Sequence, residues 1–431
     1  MAQDKAASDY VYDKKENTAV VTIEKLVHGG QGIGTLADGR RVFAWNVLPG
    51  EKVKLRLTKN KNKLAEGVAE EILEPSADRI DPIDEAYLST SPWQIMPFDI
   101  ENKYKQDILA ETLSREHVAY DQAIKMHAGK TEWFYRNKME YSFWADDLGL
   151  HLALFNRGSH GKRIVTGSSI AMPQIDQTAT KILEILNKHG IRGSQLKTVI
   201  VRANQNGETA AALFTKDKDF HELPELADVC RGLVVYFSNP KSPASVQTKK
   251  LYGYGDITLH DDILGTDIKY DVNSFFQVNI DIFLEALKRI KTAVGDSPYI
   301  DMYSGVGTIG LSLGGAAKLV ESDSFNCEMA RHNAHGSDAE IIEASAETAL
   351  EYIDDQHSLI VDPPRAGLHS KVTDRILEVL PPKIVYLSCN PITQARDLAL
   401  LQTKYKISSI DGYNFFPRTP HIESLAVLEL K

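Results

Sequence analysis

Four short runs in the last third of the chain, Tyr299-Ile300, Lys318-Leu319-Val320, Leu359-Ile360-Val361 and Ile384-Val385-Tyr386-Leu387, each stop abruptly at polar or glycine- and proline-rich residues. Apolar, β-branched runs of this length bounded by turn formers read as buried strands. They alternate with helical patterns such as the one over 281–294. That alternation specifies an α/β domain with a doubly wound sheet. Ligands of such sheets bind beyond the carboxyl ends of the strands. The residues that stop these runs are therefore the candidate site.

The first run ends in Asp301-Met302-Tyr303-Ser304-Gly305-Val306-Gly307-Thr308-Ile309-Gly310. Glycines there let a loop pass close to a ligand before a helix begins near Ile309. The second run ends in Glu321, about twenty positions on, where an acidic residue holds a ribose diol. Dinucleotides and S-adenosylmethionine both use this arrangement. Asp301 at the strand end, and Gly-x-Gly without a third glycine at the dinucleotide position, favour S-adenosylmethionine. The third run ends in Asp362-Pro363-Pro364-Arg365-Ala366-Gly367, whose prolines fix an extended turn and aim the Asp362 carboxylate at the crevice. Arg365 suits either a substrate phosphate or an ion pair. The fourth ends in Ser388-Cys389-Asn390-Pro391. A thiol here reads either as a nucleophile or as a small buried hydrophobe. Glu423 precedes the strand run Leu425-Ala426-Val427 and reads either as a surface carboxylate or as a residue facing the same crevice.

At 431 residues the chain is too long for one ordinary core. Residues 1–18 are polar and read as a disordered tail. Residues 19–74 carry alternating short strands and glycine-marked turns (Gly29, Gly30, Gly32, Gly34, Gly39, Gly50), the pattern of a small OB-like β-barrel. Lys59, Lys61 and Lys63 alternate with Asn60 and Asn62 at its longest hairpin tip, which suits a phosphate backbone or a solvated turn. Residues 75–262 read as a mixed α/β central region, with a helix over 100–118 placed to pack on the last domain. Its segment 133–144 mixes aromatics with Arg136 and Lys138, which fits either base stacking with phosphate contacts or a half-buried strand. Residues 263–431 form the α/β domain described first. The formal net charge of −10 argues against indiscriminate binding to phosphate backbones. Cys230, Cys327 and Cys389 are far apart, which points to a reducing cytoplasm and to no metal site. No apolar run is long enough to span a membrane, and a monomer is expected.

Five motifs in order, Phe-Phe-Gln-Val-Asn at 275–279, Asp-x-Tyr-Ser-Gly-x-Gly at 301–307, Asp-Pro-Pro-Arg-x-Gly at 362–367, Ser-Cys-Asn-Pro at 388–391 and His-x-Glu at 421–423, resemble those of the RNA (uracil-5-)methyltransferases. Those enzymes make 5-methyluridine in ribosomal or transfer RNA. The barrel resembles their RNA-binding TRAM domain, and Tyr135-Arg136-Asn137-Lys138 matches a further segment. The resemblance implies a Rossmann-like class I methyltransferase domain using S-adenosylmethionine, with Gln277, Tyr303, Gly305, Glu321 and Asp362 on the cofactor. It implies Cys389 as nucleophile toward carbon 6 of uracil and Glu423 as the base that removes the carbon 5 proton. Lys59, Lys61, Lys63, Arg136, Lys138 and Arg365 would meet RNA, ribosomal in preference to transfer RNA. Since an ordinary thiol is largely protonated at neutral pH, local activation of Cys389 is expected. Many family members hold an iron–sulfur cluster ahead of the central region. The corresponding residues 85–94 contain no cysteine, so no cluster is expected, and Trp93 and Met96 are candidates to fill the space. The alternatives are an RNA cytosine-5 methyltransferase, which also needs a thiol, and a catalytically silent RNA-binding or RNA-folding protein.

Overall fold

Strict alternation in Lys52–Asn60 buries Val53, Leu55 and Leu57 on one side of a strand that pairs with both Thr18–Leu26 and Leu64–Glu74. With Gly32–Thr35 and Arg41–Trp45 these strands close a five-stranded barrel. The computed structural model describes residues 17–61, 63–159, 161–242, 245–315 and 317–431. The tail read over 1–18 lies outside the described residues as far as residue 16, as does Asn62 at the hairpin tip; Thr18 already belongs to the first strand. The sequence reading placed Gly32 and Gly34 in turns, and the structure corrects this. Both sit inside a strand, where the barrel wall approaches too closely for a side chain. A Cβ on Gly32 would stand 2.4 Å from Val47 Cγ2, and one on Gly34 2.6 Å from the Thr22 carbonyl oxygen. Gly29 and Gly30 make the turn, with φ of 89° and 91°.

The chain forms two compact units, residues 1–79 and 80–431. In the second, a seven-stranded sheet runs in the order Lys249–Gly255, Gly232–Phe237, Thr209–Thr215, Leu196–Ala203, Lys138–Asp146, Gly149–Phe155, Lys162–Ile164. Helix Pro173–Lys188 covers one face through Ile175, Ala179, Ile182 and Leu186, its apolar residues spaced at helical period. From the other face Ile200, Ala212, Phe214 and Val234 enter a core shared with the hairpin Thr258–Ile263/Thr266–Asp271 and with helix Ile280–Val294. The regions 75–262 and 263–431 thus meet through continuous apolar packing.

That core extends to an eight-stranded sheet of order Glu340–Glu343, Ala317–Glu321, Tyr299–Met302, Ser358–Val361, Lys383–Ser388, Glu423–Leu430, Tyr405–Asn414, Met126–Ala128. The first five strands are parallel. Tyr299–Met302 and Ser358–Val361 at the centre are buried throughout, which explains their largely apolar sequence, whereas the edge strand Glu340–Glu343 leaves both glutamates exposed. Glu423–Leu430 then runs antiparallel to Lys383–Ser388. Two elements from earlier in the chain complete this half. Met126–Ala128 pairs with the Gly412–Asn414 end of the edge strand. Helix Phe98–Arg115 packs on helix Pro391–Leu401 and on the strand Tyr405–Asn414.

Candidate active site

Strand Tyr299–Met302 lies between Ala317–Glu321 and Ser358–Val361, so the strand order reverses at its carboxyl end. A crevice opens at such a switch point. Asp301 is fully buried there, and its Oδ2 accepts the Gly310 N–H at 2.8 Å, which ties the strand end to helix Thr308–Leu313. A Cβ on Gly310 would come within 2.9 Å of that same oxygen, so the helix approaches only because the residue is glycine. The loop turns through positive φ at Tyr303 (68°), Gly305 (57°) and Gly307 (85°). For tyrosine this conformation is costly, a feature that concentrates at functional sites. Glu321 closes the loop from the neighbouring strand: Oε2 accepts Gly305 N–H at 2.9 Å, and Oε1 accepts the N–H groups of Ser322 and Asp323 at 2.8 and 2.7 Å.

On the other side of the reversal, Asp362 follows Ser358–Val361. The turn after it is held when Asn390 Nδ2 and Thr393 Oγ1 donate to the Arg365 carbonyl at 2.8 and 3.1 Å. Asn390 also caps helix Pro391–Leu401 by accepting Ile392 N–H at 3.2 Å. Cys389 is the residue between strand Lys383–Ser388 and that cap. Antiparallel pairing sets Ser388 opposite Ser424, and the same register continued by one residue sets Cys389 opposite Glu423. Cross-strand neighbours of this kind have Cβ atoms ~5 Å apart. The result is one cavity of about 610 Å³, within the ~300–1,000 Å³ usual for small-molecule sites. Gln277, Tyr303, Gly305, Glu321, Asp362, Arg365, Cys389 and Glu423 all line it. Asn326, Ser345 and Glu347 line it as well and were not singled out from sequence, and so does Phe275, named there only within the motif at 275–279 and given no role. Phe275 is 69% exposed although it sits in an aromatic pair, and the loop carrying Ser345 and Glu347 has no motif.

The family model described as tRNA (Uracil-5-)-methyltransferase matches residues 326–431, and that for the TRAM domain matches residues 17–69. An uncharacterized RNA methyltransferase of Lactobacillus johnsonii is 30% identical over 450 residues, spanning 96% of this chain and 99% of that relative. One of Halalkalibacterium halodurans is 30% identical over 454 residues, spanning 97% and 98%. The chain belongs to the RNA (uracil-5-)methyltransferase family. Its fold is shared with the tRNA (uracil-54, C5)-methyltransferase of Pyrococcus abyssi, crystallised with S-adenosyl-L-homocysteine, at a TM-score of 0.78 and 24% identity over 94% of this chain and 99% of that one.

The electrostatics of this methyltransferase's cavity differ from expectation at Cys389. Activation of the thiol was expected, whereas its pKa is pushed up to about 11, first by burial and then by the carboxyl groups of Glu423 and Asp362; Arg365 pulls the other way. Burial raises Asp362 to about 7 and, with Asp362 beside it, drives Glu423 well above the usual carboxylate range. At pH 7.5 a thiol of pKa about 11 is about 3 parts in 10⁴ thiolate, against roughly a tenth for an ordinary thiol near 8.5. Alkylation of Cys389 by iodoacetamide in the free protein, followed by peptide mass spectrometry, should keep accelerating to pH 10. A plateau below pH 8 would contradict this picture.

The remaining sequence candidates lie elsewhere. Lys59 is paired with Glu66 at 2.6 Å on the barrel, and Lys61 and Lys63 are exposed at the same tip. Arg136 Nε donates to the Lys138 carbonyl at 2.9 Å, and its guanidinium lies 6.0 Å from the centre of the Phe416 ring. Lys138 is half-buried, and desolvation, with Arg202 nearby, lowers its pKa to about 7. Of the named cations, Arg365 lines the cavity. In the segment 85–94, Trp93 is buried, and so is nearby Met96. Cys327 is buried and donates to the Glu321 carbonyl at 3.3 Å; Cys230 is half-buried and donates to the Gly232 carbonyl at 3.1 Å. Among the described residues no group of three or more His, Cys, Asp or Glu is placed to hold a metal ion, and no helix is long and apolar enough to cross a membrane.

Proposed function

We propose that the protein transfers a methyl group from S-adenosylmethionine to carbon 5 of a uridine in RNA, with Cys389 as nucleophile and Glu423 as base. One observation carries the reading: a thiol one residue beyond the Ser388–Ser424 pair and a carboxylate at the start of the facing strand share a single cavity with Glu321, Gly305 and Asp362. The cavity lining fits the donor: Glu321 would hold the ribose diol, the positive-φ loop Tyr303–Gly307 would let backbone approach it, and Gln277 and Asp362, which line the same cavity, would contact it as well. S-adenosylmethionine supplies an electrophilic methyl on a sulfonium, whose positive charge would offset the two carboxyl groups that suppress the Cys389 thiolate.

The chain's own residues supply the rest. Carbon 5 of uracil is too weak a nucleophile to accept a methyl group unaided. Addition of the Cys389 thiolate to carbon 6 forms an S–C bond and pushes the ring electron pair into an enolate, so that carbon 5 can take the methyl group as its bond to sulfur breaks and the donor leaves as a neutral thioether. Glu423 then takes the proton from carbon 5, the carbon 5–carbon 6 double bond re-forms, and the thiolate leaves. A base buried in a site that excludes water is stronger than an exposed carboxylate, in keeping with the upward push on Glu423. The target base must leave its stack to reach the cavity.

Trapping tests this. RNA containing 5-fluorouridine has no proton at carbon 5 to abstract, so a covalent protein–RNA adduct should survive denaturing electrophoresis. Absence of an adduct with an RNA that the enzyme methylates in its normal form would overturn the mechanism. Ribosomal RNA is the proposed target, acted on in the cytoplasm by a monomer. Mapping of 5-methyluridine in cells with and without the gene decides it: loss of a ribosomal site supports the reading, and loss confined to transfer RNA overturns it.

A further inference from the structure

The loop that leads to Glu423, residues 415–420, has no helix or strand of its own and is held by side chains and one backbone N–H from the distant segment 93–137. Its backbone is fixed at three successive residues. The Phe416 carbonyl accepts from Lys105 Nζ at 3.0 Å, the Pro417 carbonyl from Tyr135 OH at 2.9 Å, and the Arg418 carbonyl from Trp93 N–H at 3.0 Å. The Arg418 N–H donates to both carboxylate oxygens of Glu101 at 3.0 Å, and Arg418 itself sits at φ 64°. Glu101 and Lys105, one turn apart on helix Phe98–Arg115, are fully buried and paired at 2.9 Å; both also bond Asn414, the last residue of the preceding strand. The Arg418 guanidinium pairs with Glu132 and lies 4.8 Å from the centre of the Trp133 ring. Two cations and two anions thus balance in one cluster, with Glu101, Lys105 and Arg418 buried and Glu132 at its partly exposed edge.

Burying such groups is expensive, and a well-packed apolar set of similar volume is often as stable or more so. What charges and hydroxyls add is direction: each bond specifies where one backbone atom must be. We infer that Glu101, Lys105 and Tyr135 are positioning residues for proton abstraction, fixing the loop so that Glu423 meets carbon 5. Cys389 bonds none of them: its strand is held by the parallel sheet and its helix cap by Asn390, and helix Phe98–Arg115 reaches that helix only through packing that substitutions conserving side-chain volume leave in place. The inference rests on the assignment of Glu423 as base. It predicts that damage to the cluster separates the two halves of the reaction.

The variants are Glu101→Gln, which removes the charge, and Tyr135→Phe, which removes one hydrogen bond and leaves the packing intact should the first fail to fold. Each is compared with wild type and with Glu423→Gln. With 5-fluorouridine RNA, adduct formation should remain within about threefold of wild type. With ordinary RNA, turnover should fall, on the order of 10²-fold for Glu101→Gln, since misplacement by about 1 Å costs that much. Covalent adduct on unmodified uridine should accumulate, as in Glu423→Gln. Parallel loss of both steps, or unchanged turnover in the variants that fold, overturns the positioning role alone. A wild type that forms no fluorouridine adduct overturns the covalent mechanism and the positioning role with it.

Discussion

Replacing Cys389 by alanine should abolish methylation, with single-turnover methyl transfer to RNA falling by on the order of 10⁴-fold or more, as when a covalent nucleophile is removed from other enzymes. Cys389 is the one thiol among the residues lining the cavity. Glu423 and Asp362 are carboxyl groups with raised pKa values, and Arg365 carries no lone pair to give. The fold should survive. Cys389 is only half-buried and lies outside the strand ladder, so thermal unfolding should change by no more than ~1 kcal/mol equivalent. Cofactor retention should also persist, because Glu321, Gly305 and Gln277 are untouched. The measurement is transfer of a labelled methyl group, run beside the fluorouridine trap. Residual methylation within tenfold of wild type, or an adduct that still forms, would remove Cys389 as nucleophile. A serine at 389 should be equally inactive, since burial beside two carboxyl groups disfavours an alkoxide even more than a thiolate.

The cavity was legible in the sequence to an unusual degree for a physical reason. Parallel strands buried on both faces announce themselves as unbroken apolar runs, and topology sends whatever follows them to one edge. Asp301, Glu321, Asp362 and Cys389 could be assigned to that edge from runs of two to four residues each. Glu423 was harder, because it begins an antiparallel strand, and only the register Ser388–Ser424 sets it opposite the thiol. The state of the thiol was not legible at all. Its pKa depends on how much of Cys389 is buried and on which carboxyl groups share the space, and neither leaves a local trace. The same holds for Met126–Ala128, three residues whose strand character comes wholly from a partner nearly 290 positions away. Glu101 and Lys105 were misleading in their plainness. An acidic and a basic residue four apart on a helix ordinarily mark a solvated face, yet the helix turns that face inward beside Ile108, Leu109 and Leu113.

Glu423→Gln is the sharper test, since it should slow one step while easing the other. Loss of the base should cut turnover by ~10²–10⁴-fold and leave covalent adduct on unmodified uridine, visible on a denaturing gel without fluorine. The same change removes a carboxyl group that helps hold the Cys389 thiol at about 11, so the thiol of the variant should titrate lower and alkylate faster at a given pH. The pH dependence follows with its sign. Glu423 must be ionised to accept a proton, and its folded pKa is raised, so wild-type product release should fall as pH drops through a range above that of ordinary carboxylates. The glutamine variant should lose that limb of the profile. Wild-type turnover in Glu423→Gln would exclude it as base. Slow turnover with no adduct and an unchanged thiol titration would mean that Glu423 does not face Cys389 at all. The two effects have one proposed cause, a buried carboxyl group set beside a half-buried thiol: the arrangement that would make Glu423 a strong base would also keep Cys389 quiet until the positively charged donor is in place.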